Sequence, residues 1–131
     1  MKLSKEIKKF VMDCCTAVNE KLDYLEDLVE EHLRCIAEST SPITEDIIMW
    51  DDYTLSKVKN HMIDCENMIE LIVKIILLDD HFECEDLDMC YRMYFECSNR
   101  YEEFKENSYK KLLSENYLKV KINKNYKKAG I

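Results

Sequence analysis

Apolar residues recur along most of this chain in steps of three and four. The first series is Ile7, Val11, Cys14, Val18, Leu22, Leu25, Val29, His32 and Ile36, with Lys, Glu and Asp between them. That spacing puts one stripe of a helix toward a core and the charges toward water. It predicts a helix from Leu3 to Ile36, about 35 residues and roughly 50 Å long. Ser39-Thr40-Ser41-Pro42 then breaks the pattern, because a proline forces the preceding residue out of helical geometry.

A second series, Leu55, Val58, Met62, Cys65, Ile69, Ile72 and Ile76, predicts a helix beginning near Thr54. Just upstream, Thr44 followed by Glu45 and Asp46 has the form of a cap with acids in the first turn, which predicts a short extra helix over 44–50. Toward its end the second helix becomes apolar on most sides, through Ile72, Val73, Ile75, Ile76, Leu77 and Leu78. Such a stretch is either deeply buried or paired with another chain. Residues 79–84 form the second connection. The third helix is expected from about Glu85 to Leu118, with the stripe Leu87, Cys90, Tyr94, Cys97, Tyr101, Phe104, Ser108 and Leu112.

Three long helices with short connections lie antiparallel, up-down-up, at shallow angles. The expected fold is therefore all-α. One helical-bundle domain spans 1–118, since each stripe needs the other two to cover it. Residues 119–131 form a basic, frayed tail.

Composition strengthens this reading. The chain has one glycine, Gly130, and one proline, Pro42. Sheets need turns, and tight turns draw on those residues. Hydrophobic residues at 47% exclude a disordered chain, and charged residues at 35% exclude a membrane protein. Seven cysteines cannot pair completely, and the N-terminus carries lysines where a signal peptide has an apolar core. Reduced thiols in the cytoplasm follow, with Cys14, Cys65, Cys90 and Cys97 expected in the core.

Charge changes the picture more. The net charge is −8, but residues 13–104 are strongly acidic while both termini are rich in lysine. Glu20, Asp23, Asp27, Glu30 and Glu31 form one acidic face on the first helix, opposite its apolar stripe. One reading is self-neutralisation with helix dipoles, acids at helix starts and bases at helix ends. The other is a docking surface that steers a basic protein and repels nucleic acid. The tail lysines could touch RNA or DNA weakly. Trp50, the sole tryptophan, stands beside Asp51 and Asp52, a composition common to interface anchors and to bundle caps alike.

Each histidine precedes a cysteine by three or four residues: His32/Cys35, His61/Cys65 and His81/Cys84. On a helix such pairs share a face, as zinc ligands must. A second helix starting near Thr54 would bring His61 and Cys65 level with His32 and Cys35. No Glu stands three residues before any histidine, which is the di-iron bundle pattern. One glycine cannot build a phosphate loop, and no nucleophile–base pair stands out. The acids between Asp79 and Asp88 lack the glycine and alternation of a calcium loop and serve better as helix caps.

The expected function is that of a non-enzymatic protein-binding module, an adaptor or inhibitor. It would act on a basic partner through Glu20, Asp23, Asp27, Glu30, Glu31, Trp50, Asp51 and Asp52, or by homodimer formation. Small acidic proteins of viruses and mobile elements often work this way. Two alternatives are an acidic nucleic-acid mimic that inhibits a nuclease, and a zinc-binding or enzymatic bundle. No cofactor and no membrane partner is implied.

Overall fold

The described residues form three helical rods. The computed structural model describes residues 2–38, 44–78 and 84–115, without the side chains of residues 2–4, 78 and 84–87. Helix α1 spans Lys2–Glu38 and α2 spans Glu45–Leu78. The third rod is α3, Cys84–Glu103, then a π-helical segment over Phe104–Tyr109, then α4, Lys110–Ser114. Among the described residues only Thr44 and Glu115 lie outside these helices.

Helix α2 starts about ten residues before the apolar series that predicts it. The Thr44 hydroxyl accepts the Ile47 amide at 3.3 Å, and its carbonyl accepts the Ile48 amide at 3.0 Å. This is an N-cap, as expected, but the helix it opens does not stop at residue 50. No glycine or proline interrupts Asp51-Asp52-Tyr53. The Thr54 hydroxyl donates to the Trp50 carbonyl at 3.1 Å, so it bonds back within the helix instead of capping a new one. The expected short helix at 44–50 is the beginning of α2.

Side-chain contacts fix the directions. Lys21 meets Asp64 and His32 meets Asp51, so α1 and α2 run antiparallel. Cys15 meets Cys97 and Asn19 meets Arg100, so α1 and α3 run parallel. It follows that α3 runs antiparallel to α2, and Tyr101 donates to Glu66 between them. The topology is up-down-up.

The predicted stripes form one core. Val11, Val18, Leu22, Leu25 and Val29 pack against Val58, Met62, Cys65, Ile69, Ile72 and Ile76, and against Cys90, Cys97, Tyr101, Phe104 and Leu112. Two positions differ by a residue. Thr54 is buried, where the stripe has Leu55, which is half-buried. Cys15 is buried, whereas Cys14 is only partly covered. Both lie within a helical step of Val11 and Val18, but Cys15 turns toward α3 and meets Cys97 there.

At the end of α2, Ile72 and Ile76 are buried, Val73 and Ile75 half-buried, and Leu77 66% exposed. Leu71 is also exposed. Six residues separate it from Leu77, which sets the two about 120° apart around the helix. They do not form a single patch.

The dipole explanation of the charges holds only locally. Helix α1 has no acid in its first turn and no base in its last. Helix α2 has Glu45 and Asp46 at its start but no base at its end. Bases do close the third rod, with Arg100 near the end of α3 and Lys111 in α4. No helix among the described residues is long and apolar enough to cross a membrane. Outside the described residues lie the break at Ser39–Pro42, most of the second connection, the end of the third helix at Leu118 and the tail 119–131. The His81/Cys84 pair lies outside the described side chains.

Candidate functional site

Extending α2 back to Glu45 brings its first turns level with the last turns of α1. His32, on the α1 stripe, is 2% exposed, and Asp51 opposite it is 3% exposed. Imidazole Nε2 and the Asp51 carboxylate oxygen lie 2.6 Å apart. Two polar groups this deep need each other, because an unpartnered one would keep its full desolvation penalty.

Trp50 lies over this pair. Its ring centroid is 4.3 Å from that of His32, with the planes tilted by 39°. The indole is nonetheless 41% exposed. Met49 and Tyr53 stand beside it, 68% and 66% exposed. Positions 49, 50 and 53 fall on one side of α2, so the three side chains form one apolar surface. Further along the α1–α2 seam, level with Lys57 and His61, Tyr24 is a further exposed aromatic. Its ring meets His61 edge-on at 5.4 Å and carries Lys57 at 5.5 Å. Tyr24 also raises the Lys57 pKa, through a hydrogen bond and by charge.

The acidic face of α1 borders these aromatics. Glu20, Asp23, Asp27, Glu30 and Glu31 are all exposed and turn away from the core. Asp23 is not idle. It accepts the Arg100 guanidinium, which also reaches Glu26 at 3.4 Å and the backbone and side-chain oxygens of Asn19 at 3.1 Å each. Asp23 in first place and Glu26 after it raise the Arg100 pKa. Glu20, Asp27, Glu30 and Glu31 make no ion pair among the described residues. On α2, Glu45, Asp46 and Asp52 add exposed carboxylates in the turns that carry Trp50.

Of the eight residues expected at a docking surface, seven are therefore exposed and one is not. Asp51 is buried by its bond to His32 and acts beneath the surface. Sequence patterning missed Met49, Tyr53 and Tyr24. Their signal was present: large apolar residues lying off the core stripes, with acids around them.

The four-residue zinc cage does not assemble. With α2 starting at Glu45, His32 is level with Asp51, and His61 sits ten residues further along, about 15 Å away. His61 faces Tyr24 instead. No group of three or more His, Cys, Asp or Glu side chains among the described residues is placed to hold a metal ion. The His32–Asp51 pair is buried, with the Trp50 ring against the imidazole. Compared with known proteins, this chain matches no protein-family model, no curated protein and no solved structure.

Proposed function

We propose that this chain is a protein-binding helical module, an adaptor or inhibitor, that grips a basic partner at the α1–α2 end. The observation that carries the reading is Trp50: an aromatic ring left 41% exposed yet held on a buried His32–Asp51 pair. A ring wanted only to close the bundle gains nothing from exposure. A ring wanted as an anchor gains from being fixed beforehand, since less freedom is lost on binding. Exposed aromatic anchors with a polar rim are the usual composition of binding hot spots.

Charge supports the same reading. Helix dipoles do not account for the acids of α1, and four of them have no cationic partner among the described residues. Unpaired carboxylates along one face steer a basic surface toward the exposed aromatics and speed its capture.

The test compares three proteins in capture experiments from lysates at rising salt. They are the wild type, Trp50→Ala/Tyr53→Ala, and Glu20→Lys/Asp27→Lys/Glu31→Lys, each checked for helicity. A basic protein retained by the wild type and lost with both variants supports the reading. Retention that survives loss of the aromatics but not charge reversal points to an acidic mimic of nucleic acid. Identical retention by all three refutes the proposal.

A further inference from the structure

Cysteine supplies the other unused chemistry. The six described cysteines are free thiols, and they are not equivalent. Cys35 is exposed on α1. Cys15 and Cys97 are 5% and 1% exposed and face each other from α1 and α3. The Cys97 thiol donates to the Cys15 carbonyl oxygen at 4.0 Å. The Cys15 thiol hydrogen-bonds to the Cys97 sulfur. The two side chains are thus buried at the same point of the α1–α3 interface, in the core.

The geometry points to a redox-sensitive disulfide between Cys15 and Cys97, formed by a peroxide and stapling α1 to the third rod. A disulfide needs two cysteines whose side chains already point at each other, because packed helices yield little to bring sulfurs together. This pair is placed for it: both side chains are buried between α1 and α3, and the Cys97 thiol already reaches the Cys15 carbonyl at 4.0 Å. The Cys15 hydrogen bond favours negative charge on Cys97 over Cys15, and the Arg100 guanidinium adds to it. Cys15 itself is held protonated by the same bond and by burial. Cys97 is therefore the attacking sulfur and Cys15 the resolving one.

The step balances. The Cys97 thiolate attacks one oxygen of hydrogen peroxide, the O–O bond breaks, and hydroxide leaves and takes up a proton as water. Cys97 becomes a sulfenic acid. The Cys15 sulfur then attacks the Cys97 sulfur, a second water leaves, and the S–S bond forms. Two thiols are oxidised and one peroxide is reduced. Burial makes the first attack slow, because the oxidant reaches Cys97 only when the helices open locally. Once formed, the bond closes a loop spanning 82 positions, long enough to restrict the unfolded chain strongly.

The experiment uses the full chain carrying Cys35→Ser and Cys84→Ser, which removes the exposed thiol among the described residues together with the seventh cysteine. The protein is treated with hydrogen peroxide, alkylated, and digested with trypsin without reduction. Residues 93–100 form one tryptic peptide with Cys97 as its single cysteine, and residues 10–21 form one with Cys14 and Cys15. The expected product joins these two peptides with loss of two hydrogens. It persists in Cys14→Ser and disappears in Cys15→Ser. The oxidised protein should melt about 10 °C higher than the reduced one, and dithiothreitol should reverse the shift. Oxidation that joins Cys97 to Cys65 or Cys14, carries Cys97 on to a sulfinic acid, or leaves Cys97 alkylated would overturn the assignment.

Discussion

Replacing Asp51 by alanine tests how the α1–α2 end is held together. The substitution takes the carboxylate from His32 and leaves Nε2 in a site that is 2% exposed. A buried polar group stripped of its partner costs about 1–3 kcal/mol, and a charged one about 3–5 kcal/mol. A loss of about 3 kcal/mol is expected. For a chain of 131 residues that lowers Tm by about 10 °C. The double variant His32→Leu/Asp51→Val removes both polar groups at once and should lose less than half as much, since neither member of the pair is then left buried without the other. Thermal and urea unfolding give both values. Trp50, as the only tryptophan, reports on the same event. In Asp51→Ala its fluorescence anisotropy should fall and acrylamide should quench it more readily, because the imidazole beneath it is no longer fixed. A change in stability under about 0.5 kcal/mol, with Trp50 fluorescence unaltered, would show that the pair neither stabilises this end nor positions the ring.

Three further outcomes are expected. Arg100→Ala should cost about 1–2 kcal/mol in urea unfolding through its bonds to Asn19 and Asp23, and Arg100→Lys should recover little of it, because an ammonium cannot span the same acceptors. Burial pushes the Cys65 thiol up to about 11. The folded state therefore keeps a proton that the unfolded chain releases from about pH 9, so this contribution is complete below pH 9 and is lost as pH rises through 11. Tm should fall over that window, and less steeply in Cys65→Ala; Cys15 and Tyr101 are raised too and add to the slope. Leu77→Asp should change the unfolding free energy by less than about 0.5 kcal/mol, because the side chain is 66% exposed; a chain that unfolds instead would place Leu77 in an interface between copies.

The architecture was legible because it rests on repetition. Fifteen or more apolar positions at helical spacing outvote any single residue, and Leu22, Val58, Ile72 and Cys97 all lie where their stripe puts them. The start of α2 was less legible. Ile47 and Ile48 are only half-buried, while Met49, Trp50 and Tyr53 face water, so the first turns carry no clean apolar stripe. Their helicity comes from the Thr44 cap and from the absence of any breaker. The site suffered from the same gap. Asp51 reads as one acid among several, and only its position opposite His32, fixed by the register of two whole helices, turns it from a surface charge into a buried support. Trp50 and the acids of α1 could be named from sequence because exposure follows from lying off the stripe. Their grouping with Tyr24 and Tyr53 needed the same register.

The π-helical turn at Phe104–Tyr109 bears on how this gene could change length. A π turn closes i→i+5 bonds and takes up one residue more than an α turn does. Phe104 and Leu112 are both buried although eight residues apart, a separation that would leave them about 80° out of line on a regular α-helix. Removing one residue from the exposed stretch at Lys105–Asn107 would leave seven, close to two α turns, and both side chains would still face the core. The same deletion in the middle of α2 has no slack to absorb it and would swing every later core residue by about 100°. Loss of one codon should therefore be tolerated at this turn and rejected along α2, so shorter variants of the chain are expected to differ here first.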